Sequence, residues 1–246
     1  MSLRSASVAV LLLAAAGVSL VAGFRSPDAP DVVWGTRGVR PGDLARPRAA
    51  AITPDGRLWV VDFTARVQAY DLDGTYAGVT FTPPDYRNGR PSGLGVTRDG
   101  RLIVCDSHYH TVRVYAPDGT EAFAFGGPDR FGYVSDCVQD GDGFYYVSEF
   151  GPHDRITKAD AAGKVVKTWG ANGGGPGEFS RVRALALGPD GLLYAADACN
   201  HRVQVFDRDG RFVRQFGGTG SGPGQFQYPY DLAFGPGGDL YVVERG

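Results

Sequence analysis

AADACNHRVQVFDRDG, residues 195–210, sets Asp197, Cys199, Asn200 and His201 beside one another. Such a cluster is either a reactive or metal-binding group, which need occur only once, or one tooth of a structural repeat, which must return at a fixed period. It returns. The turn and strand leading into it, LGPDGLLYAAD (187–197), are matched by ITPDGRLWVVD (52–62), VTRDGRLIVCD (96–106), QDGDGFYYVSE (139–149) and FGPGGDLYVVE (234–244). The turn glycines Gly56, Gly100, Gly143, Gly191 and Gly238 are 44, 43, 48 and 47 residues apart. A second series of turns falls between them, in DLDG (71–74), APDG (116–119), DAAG (160–163) and DRDG (207–210). Each follows an alternating stretch such as RVQAY, TVRVY or RVQVF, and FAFG, VVKTWG or FVRQFG comes after it.

Apolar and polar residues that alternate with period two, rich in β-branched and aromatic types, predict strands, and Asp-Gly turns predict hairpins between them. Each unit of about 45 residues therefore supplies four short antiparallel strands. One such sheet cannot cover both of its own faces, so the units must pack face to face around a central channel. The fold class expected is all-β, a β-propeller of four-stranded blades. No convincing helical period occurs beyond the N-terminal apolar segment.

The stretch NHRVQVFDRDG, the leads GPGEF (175–179) and GPGQF (222–226), and YPYDLAF (228–234) resemble NHL repeats, in which Asn200 and His201 fall on the name-giving triplet. The resemblance covers residues 34–246, with units at about 34–81, 82–126, 127–170, 171–217 and an incomplete 218–246. It implies a ring of six blades. DVVWG (31–35) matches the outer strand of a blade but precedes the first one, and is expected to close the last blade from the N-terminal side. The 213 residues from Trp34 to Gly246 amount to about 4.6 units, so a sequence truncated within its fifth blade is expected. Function is not implied, because propellers of this kind serve as enzymes, sensors and interaction platforms alike.

The recurring acids Asp62, Asp106, Glu149, Asp197 and Glu244 end the second strand of each unit. At that place an acid accepts backbone hydrogen bonds and pairs with an arginine such as Arg66, Arg155 or Arg202. His201 corresponds to His110 and approximately to His153, while the first unit has no histidine there. A structural role is expected for this set, rather than a Cys199–His201 nucleophile and base.

Chemistry in a propeller concentrates where the innermost strands begin, at the channel mouth. Eight residues before each turn glycine stand Arg48, Ser92, Ser135, Arg183 and Tyr230; seven before stand Ala49, Gly93, Asp136, Ala184 and Asp231. Peptide-amidating lyases, zinc propellers that the chain also resembles, place metal-binding histidines at the first of these positions. None of the five here is histidine, which counts against a zinc site of that kind. What remains is a polar ring able to hold an anionic or hydroxylated ligand, or else to knit itself together by salt bridges such as Arg183 with Asp136 or Asp231. No cofactor is expected; the carboxylates leave Ca²⁺ open, but no D-x-D-x-D-G loop is present. Tyr86, Arg87 and Tyr133 sit in loops before inner strands and are candidates for a binding face. The glycine-rich GANGGGPGEF and GGTGSGPGQF lie between strands and open no helix, so they are not phosphate loops.

With 25 basic against 27 acidic residues the chain has a net charge of −2 and no excess with which to hold nucleic acid. Residues 1–23, with Arg4 ahead of an apolar run and small residues before Phe24, read as an export signal or an N-terminal membrane anchor, and 24–33 as a linker. A periplasmic or extracellular location follows. The partner expected is a protein or a carbohydrate, with a membrane involved only through that N-terminus. Of Cys105, Cys137 and Cys199 at least one must lack an internal disulfide partner, and all three are expected as small buried residues. The leading expectation is a binding platform at the channel face; the alternative is a metal-dependent propeller enzyme of lactonase, esterase or amidating-lyase type.

Overall fold

A computed structural model describes residues 32–84, 86 and 91–245. The export or anchor segment lies outside the described residues. Four antiparallel sheets of four strands follow one another along the chain. The first contains β1 (Pro47–Ile52), β2 (Leu58–Asp62), β3 (Val67–Tyr70) and β4 (Tyr76–Phe81). The second contains β5 (Gly93–Val96), β6 (Leu102–Asp106), β7 (Thr111–Tyr115) and β8 (Glu121–Gly126). The third contains β9 (Tyr133–Gln139), β10 (Tyr145–Phe150), β11 (Arg155–Ala159) and β12 (Val165–Trp169). The fourth contains β13 (Val182–Leu187), β14 (Leu193–Asp197), β15 (Arg202–Phe206) and β16 (Phe212–Gly217). A fifth sheet pairs β17 (Pro229–Phe234) with β18 (Leu240–Glu244). Among the described residues the helical content is one 3-10 turn, Ala198–Asn200. No helix there is long and apolar enough to cross a membrane.

The hairpins follow from the Asp-Gly turns. Gly56, Gly100, Gly143, Gly191 and Gly238 all take φ of 76–90°, a region that a Cβ disfavours. The inner strands β1, β5, β9, β13 and β17 pack each beside the next. Middle strands such as β6, β14 and β15 are buried at every residue because a blade covers each of their faces; β2 is buried too, with blade 2 on one face and Trp34 and Leu44 on the other, whereas β12 is largely exposed. The core is accordingly divided among the joints between blades. Trp59 and Val61 meet Leu94 and Val104 at the first joint. Val112 and Val114 meet Val134 and Cys137 at the second, and Tyr146 and Ile156 meet Leu185 and Leu193 at the third.

A second contact repeats at each joint. A Cβ on Gly119 would strike Phe81 of the preceding outer strand, one on Gly163 would strike Phe125, and one on Gly210 would strike Trp169. The aromatic ring lies on the turn because glycine leaves room for it. Trp34 stands in the same relation to Gly74, and its ring lies 4.9 Å from that of Tyr70. Residues 32–36 thus pack as the end of an outer strand would, yet they form no strand. This departs from the closing strand expected from the sequence. A closing strand needs a third strand with a free edge as its partner, and among the described residues β3, β7, β11 and β15 each already pair with the outer strand of their own blade. The blades form an arc, and among the described residues no comparable packing joins β17 or β18 to β1.

Candidate functional site

The repeated acids form clasps. Asp62 accepts the backbone N–H of Ala45 at 3.1 Å, Glu149 that of Gly132 at 2.6 Å, Asp197 that of Ser180 at 2.7 Å and Glu244 that of Gln227 at 2.5 Å. In every case the donor lies 17 residues earlier, in the loop leading to the inner strand of the same blade. For Asp106 the position 17 residues earlier, Gly89, falls outside the described residues. Arg66, Arg155 and Arg202 close the clasps at 2.5, 3.1 and 2.8 Å from Asp62, Glu149 and Asp197. Blade 2 has Thr111 at that place, and Arg113 approaches Asp106 at 3.9 Å instead.

The same arginines staple the glycine-rich leads. Arg202 donates to the carbonyls of Gly174, Gly175 and Glu178, and Arg66 to those of Gly38, Arg40 and Asp43. Burial lifts the pKa of Asp197, while hydrogen bonds from Asn200, Ser180 and Arg202 pull it back.

The histidines tie one blade to the next. His110 Nδ1 lies 2.7 Å from the Gly132 carbonyl oxygen, and His201 Nδ1 accepts the Tyr228 N–H at 3.1 Å. In blade 3 the residue at this place is Asp154, not His153. Asp154 is buried and accepts the Arg181 N–H at 2.9 Å, whereas His153 is exposed. The loop after Glu149 is longer than the others, which shifts the match by one residue. Cys105 and Cys137 are buried free thiols, but Cys199 is exposed, contrary to expectation, because the 3-10 turn carries it to the surface.

The channel mouth is shaped by bulges. Pairing steps over Arg48 in β1, Ser135 in β9, Arg183 and Ala184 in β13, and Tyr230 in β17. A bulge re-aims the residue it releases from the ladder. These are the residues eight before each turn glycine; in β5 the equivalent Ser92 donates its N–H to the Cys105 carbonyl just ahead of the first strand pair. Ser92 and Ser135 use their hydroxyls as ties, Ser92 to the carbonyls of Val134 and Ser135 and Ser135 to that of Arg183. Arg48 stands on β1 of blade 1, and the other candidates make up a second group.

That group is Asp136, Arg183, Tyr230 and Asp231, from blades 3, 4 and 5. The Arg183 guanidinium lies over the Tyr230 ring at 4.4 Å and over the Phe150 ring at 5.6 Å. Its buried Nε has no hydrogen-bond partner, and neither Asp136 nor Asp231 comes close enough to form an ion pair with it. Asp136 accepts the N–H groups of Leu185 at 2.9 Å and of its neighbour Cys137 at 2.8 Å. Its pKa is pushed up to about 7, chiefly by desolvation and then by the charge of Asp231, against the pull of those two N–H groups and of Arg183. Asp231 is exposed, and desolvation raises its pKa as well, against the pull of the Leu232 N–H and of Arg183.

Gly93 makes the space: a Cβ there would lie 2.7 Å from the Ser135 carbonyl oxygen and 3.1 Å from Asp136 Oδ1. Among the described residues no three His, Cys, Asp or Glu side chains gather as a metal-binding group. Two carboxylates are a poor match for the six to eight oxygens that Ca²⁺ takes.

Two members of a row of residues, Phe150 and Arg181, were not singled out from the sequence. Phe150 carries Arg181 at 5.1 Å as well as Arg183, and on its other side meets Tyr133 at 5.5 Å, which stacks on His110 at 4.8 Å. Tyr133 and Tyr86 are exposed, and Arg87 lies outside the described residues. An aromatic directly after the strand-end acid, as in Phe63 and Phe150, is the signal that would have pointed to this shelf.

NHL repeats match residues 88–115 and 179–206. Among curated proteins none matches the chain. The fold is similar to that of a protein of unknown function from Bacteroides caccae, with TM-score 0.62 and 15% identity over 80% of this chain and 69% of that one. It is similar to virginiamycin B lyase from Staphylococcus aureus, with TM-score 0.64 and 16% identity over 81% and 64%. It is similar to a gluconolactonase from Xanthomonas campestris, with TM-score 0.59 and 18% identity over 79% and 68%. The chain therefore spans less than two thirds of the length of that lyase, and at these identities the likeness is one of fold. Two matched NHL repeats and a train of four-stranded blades make this chain a β-propeller that carries NHL repeats.

Proposed function

We propose that this propeller is an exported binding platform that takes a small hydroxylated ligand, of carbohydrate type, at its channel mouth. The observation that carries the reading is the meeting of Asp136, Arg183, Tyr230 and Asp231 with their hydrogen-bonding capacity only partly used. A carboxyl group poised near neutrality both donates and accepts, a second carboxylate accepts, and a guanidinium held flat on a ring donates; hydroxyl pairs match such a set. The test is NMR titration of the purified chain with a panel of monosaccharides and short oligosaccharides. Shifts confined to channel residues and lost in D136N support the reading; shifts elsewhere, or none, reject it. Sequencing the N-terminus of the protein recovered from cell fractions tests export, with cleavage near Phe24 as the expected result.

A second reading is an enzyme. Asp136, with its pKa near 7, suits general acid–base work, and similar folds include a lyase and a gluconolactonase. Turnover of a panel of lactones and esters, abolished in D136N with folding intact, would favour this reading over the platform.

A further inference from the structure

Resting on the channel-mouth reading, we infer that Arg181 is an anion receptor at the rim, so that the ligand seated at Asp136 and Asp231 carries a carboxylate that reaches outward to it. Arg181 is exposed, and its guanidinium makes no ion pair among the described residues. It is nonetheless fixed at both ends. Its backbone, at φ of 66°, is held by the N–H bond to Asp154, and its guanidinium rests on Phe150 of the preceding blade. Phe150 also supports Arg183, so one ring links the rim cation to the channel cation.

An arginine already ordered on an aromatic face loses little freedom when it takes a carboxylate, and it keeps its outer N–H fork available. The acids nearby do not serve this fork. Asp154 spends its oxygens on the Arg181 N–H and on Asn172, and Asp136 receives Leu185 and Cys137.

Arg46 supplies an internal control. It occupies the corresponding position of blade 1, at φ of 53°, and lies over Phe63 of its own blade at 5.5 Å. The chemistry is the same, but no ring connects it to the Asp136 group.

The experiment measures binding of paired probes, glucose against glucuronate and 1,4-butanediol against succinate, to the wild type, R181Q, R181K and R46Q, with melting temperatures recorded for each. The carboxylated member of each pair is expected to bind about tenfold tighter to the wild type, a ratio typical of one charge-assisted contact. That preference should fall to near one in R181Q, survive in part in R181K and persist in R46Q. A ratio near one in the wild type, or an unchanged ratio in R181Q, overturns the inference. If the neutral probes still shift channel resonances in that case, the channel reading stands without it. If no probe shifts them, both fall.

Discussion

Asp197 and Asp136 are acids of the same repeat protein placed at opposite ends of usefulness. Asp197 receives the Ser180 N–H, Asn200, Arg202 and Gln204, and the arginine it holds goes on to bond three carbonyls of the lead-in loop. Asp136 receives two backbone N–H groups and has an arginine nearby that stacks on rings instead of bonding to it. A saturated acid is a rivet. Burial raises the pKa of both acids, but the one left short of donors keeps unspent hydrogen-bonding capacity, which is what a ligand can use. The arginines divide in the same way, with Arg66, Arg155 and Arg202 consumed by clasps and Arg181 and Arg183 displayed on aromatic shelves.

The sharpest break of this comparison is D197A, which strands Arg202 and the donors around it in a buried site. It should cost about 3–5 kcal/mol, read as a large fall in melting temperature or denaturant midpoint. A loss well under 1 kcal/mol would show that the clasps are not rivets.

Next comes G93A, whose new Cβ has the Ser135 carbonyl in its way and should cost about 1–3 kcal/mol while displacing Asp136. Chemical shifts of Asp136 in the variant check the second half of that claim.

D136N should act with the opposite sign. A carboxyl whose folded pKa is raised binds more protons folded than unfolded, so it favours folding below about pH 4, and the advantage is lost as pH rises toward 7. The variant should therefore equal the wild type near pH 4 and exceed it at pH 8 by about 1 kcal/mol or more. Melting curves across that range decide, and a wild type with no such slope would remove Asp136 from the candidate site. Smallest of all is the response to Ca²⁺. Millimolar Ca²⁺ should leave the melting temperature unchanged, whereas a rise abolished by D136N or D231N would make the mouth a metal site and favour the enzyme.

Most of the fold was legible because its punctuation is local. Asp-Gly turns fix hairpins within a few residues, and counting back from a turn glycine reached the bulged positions Arg48, Ser135, Arg183 and Tyr230 without knowledge of any bulge. The site was only half legible, because which of those residues meet depends on contacts between blades. Ser92 and Ser135 look like ligand donors in sequence and prove to be ties to a neighbouring strand. Arg181 looks like a loop residue, and only its reach back to Phe150, 31 positions earlier, gives it meaning. The match of His153 to the blade-tying position failed by one residue, since alignment by type favours a histidine and the backbone placed Asp154 there.

The ring-on-glycine contact at each joint bears on how such a molecule comes to exist. Each of the first three blades carries a plug, the last aromatic of its outer strand, and each of the first four a socket, the bare turn glycine ahead of that strand. The plug of one blade fills the socket of the next, from Phe81 and Gly119 to Trp169 and Gly210, and Trp34, ahead of the first blade, fills the socket at Gly74. Head-to-tail contacts of this kind repeat without limit until geometry closes them. A duplication that copies one unit copies both halves of the joint, so blades can be gained or lost in evolution without a new interface having to be invented.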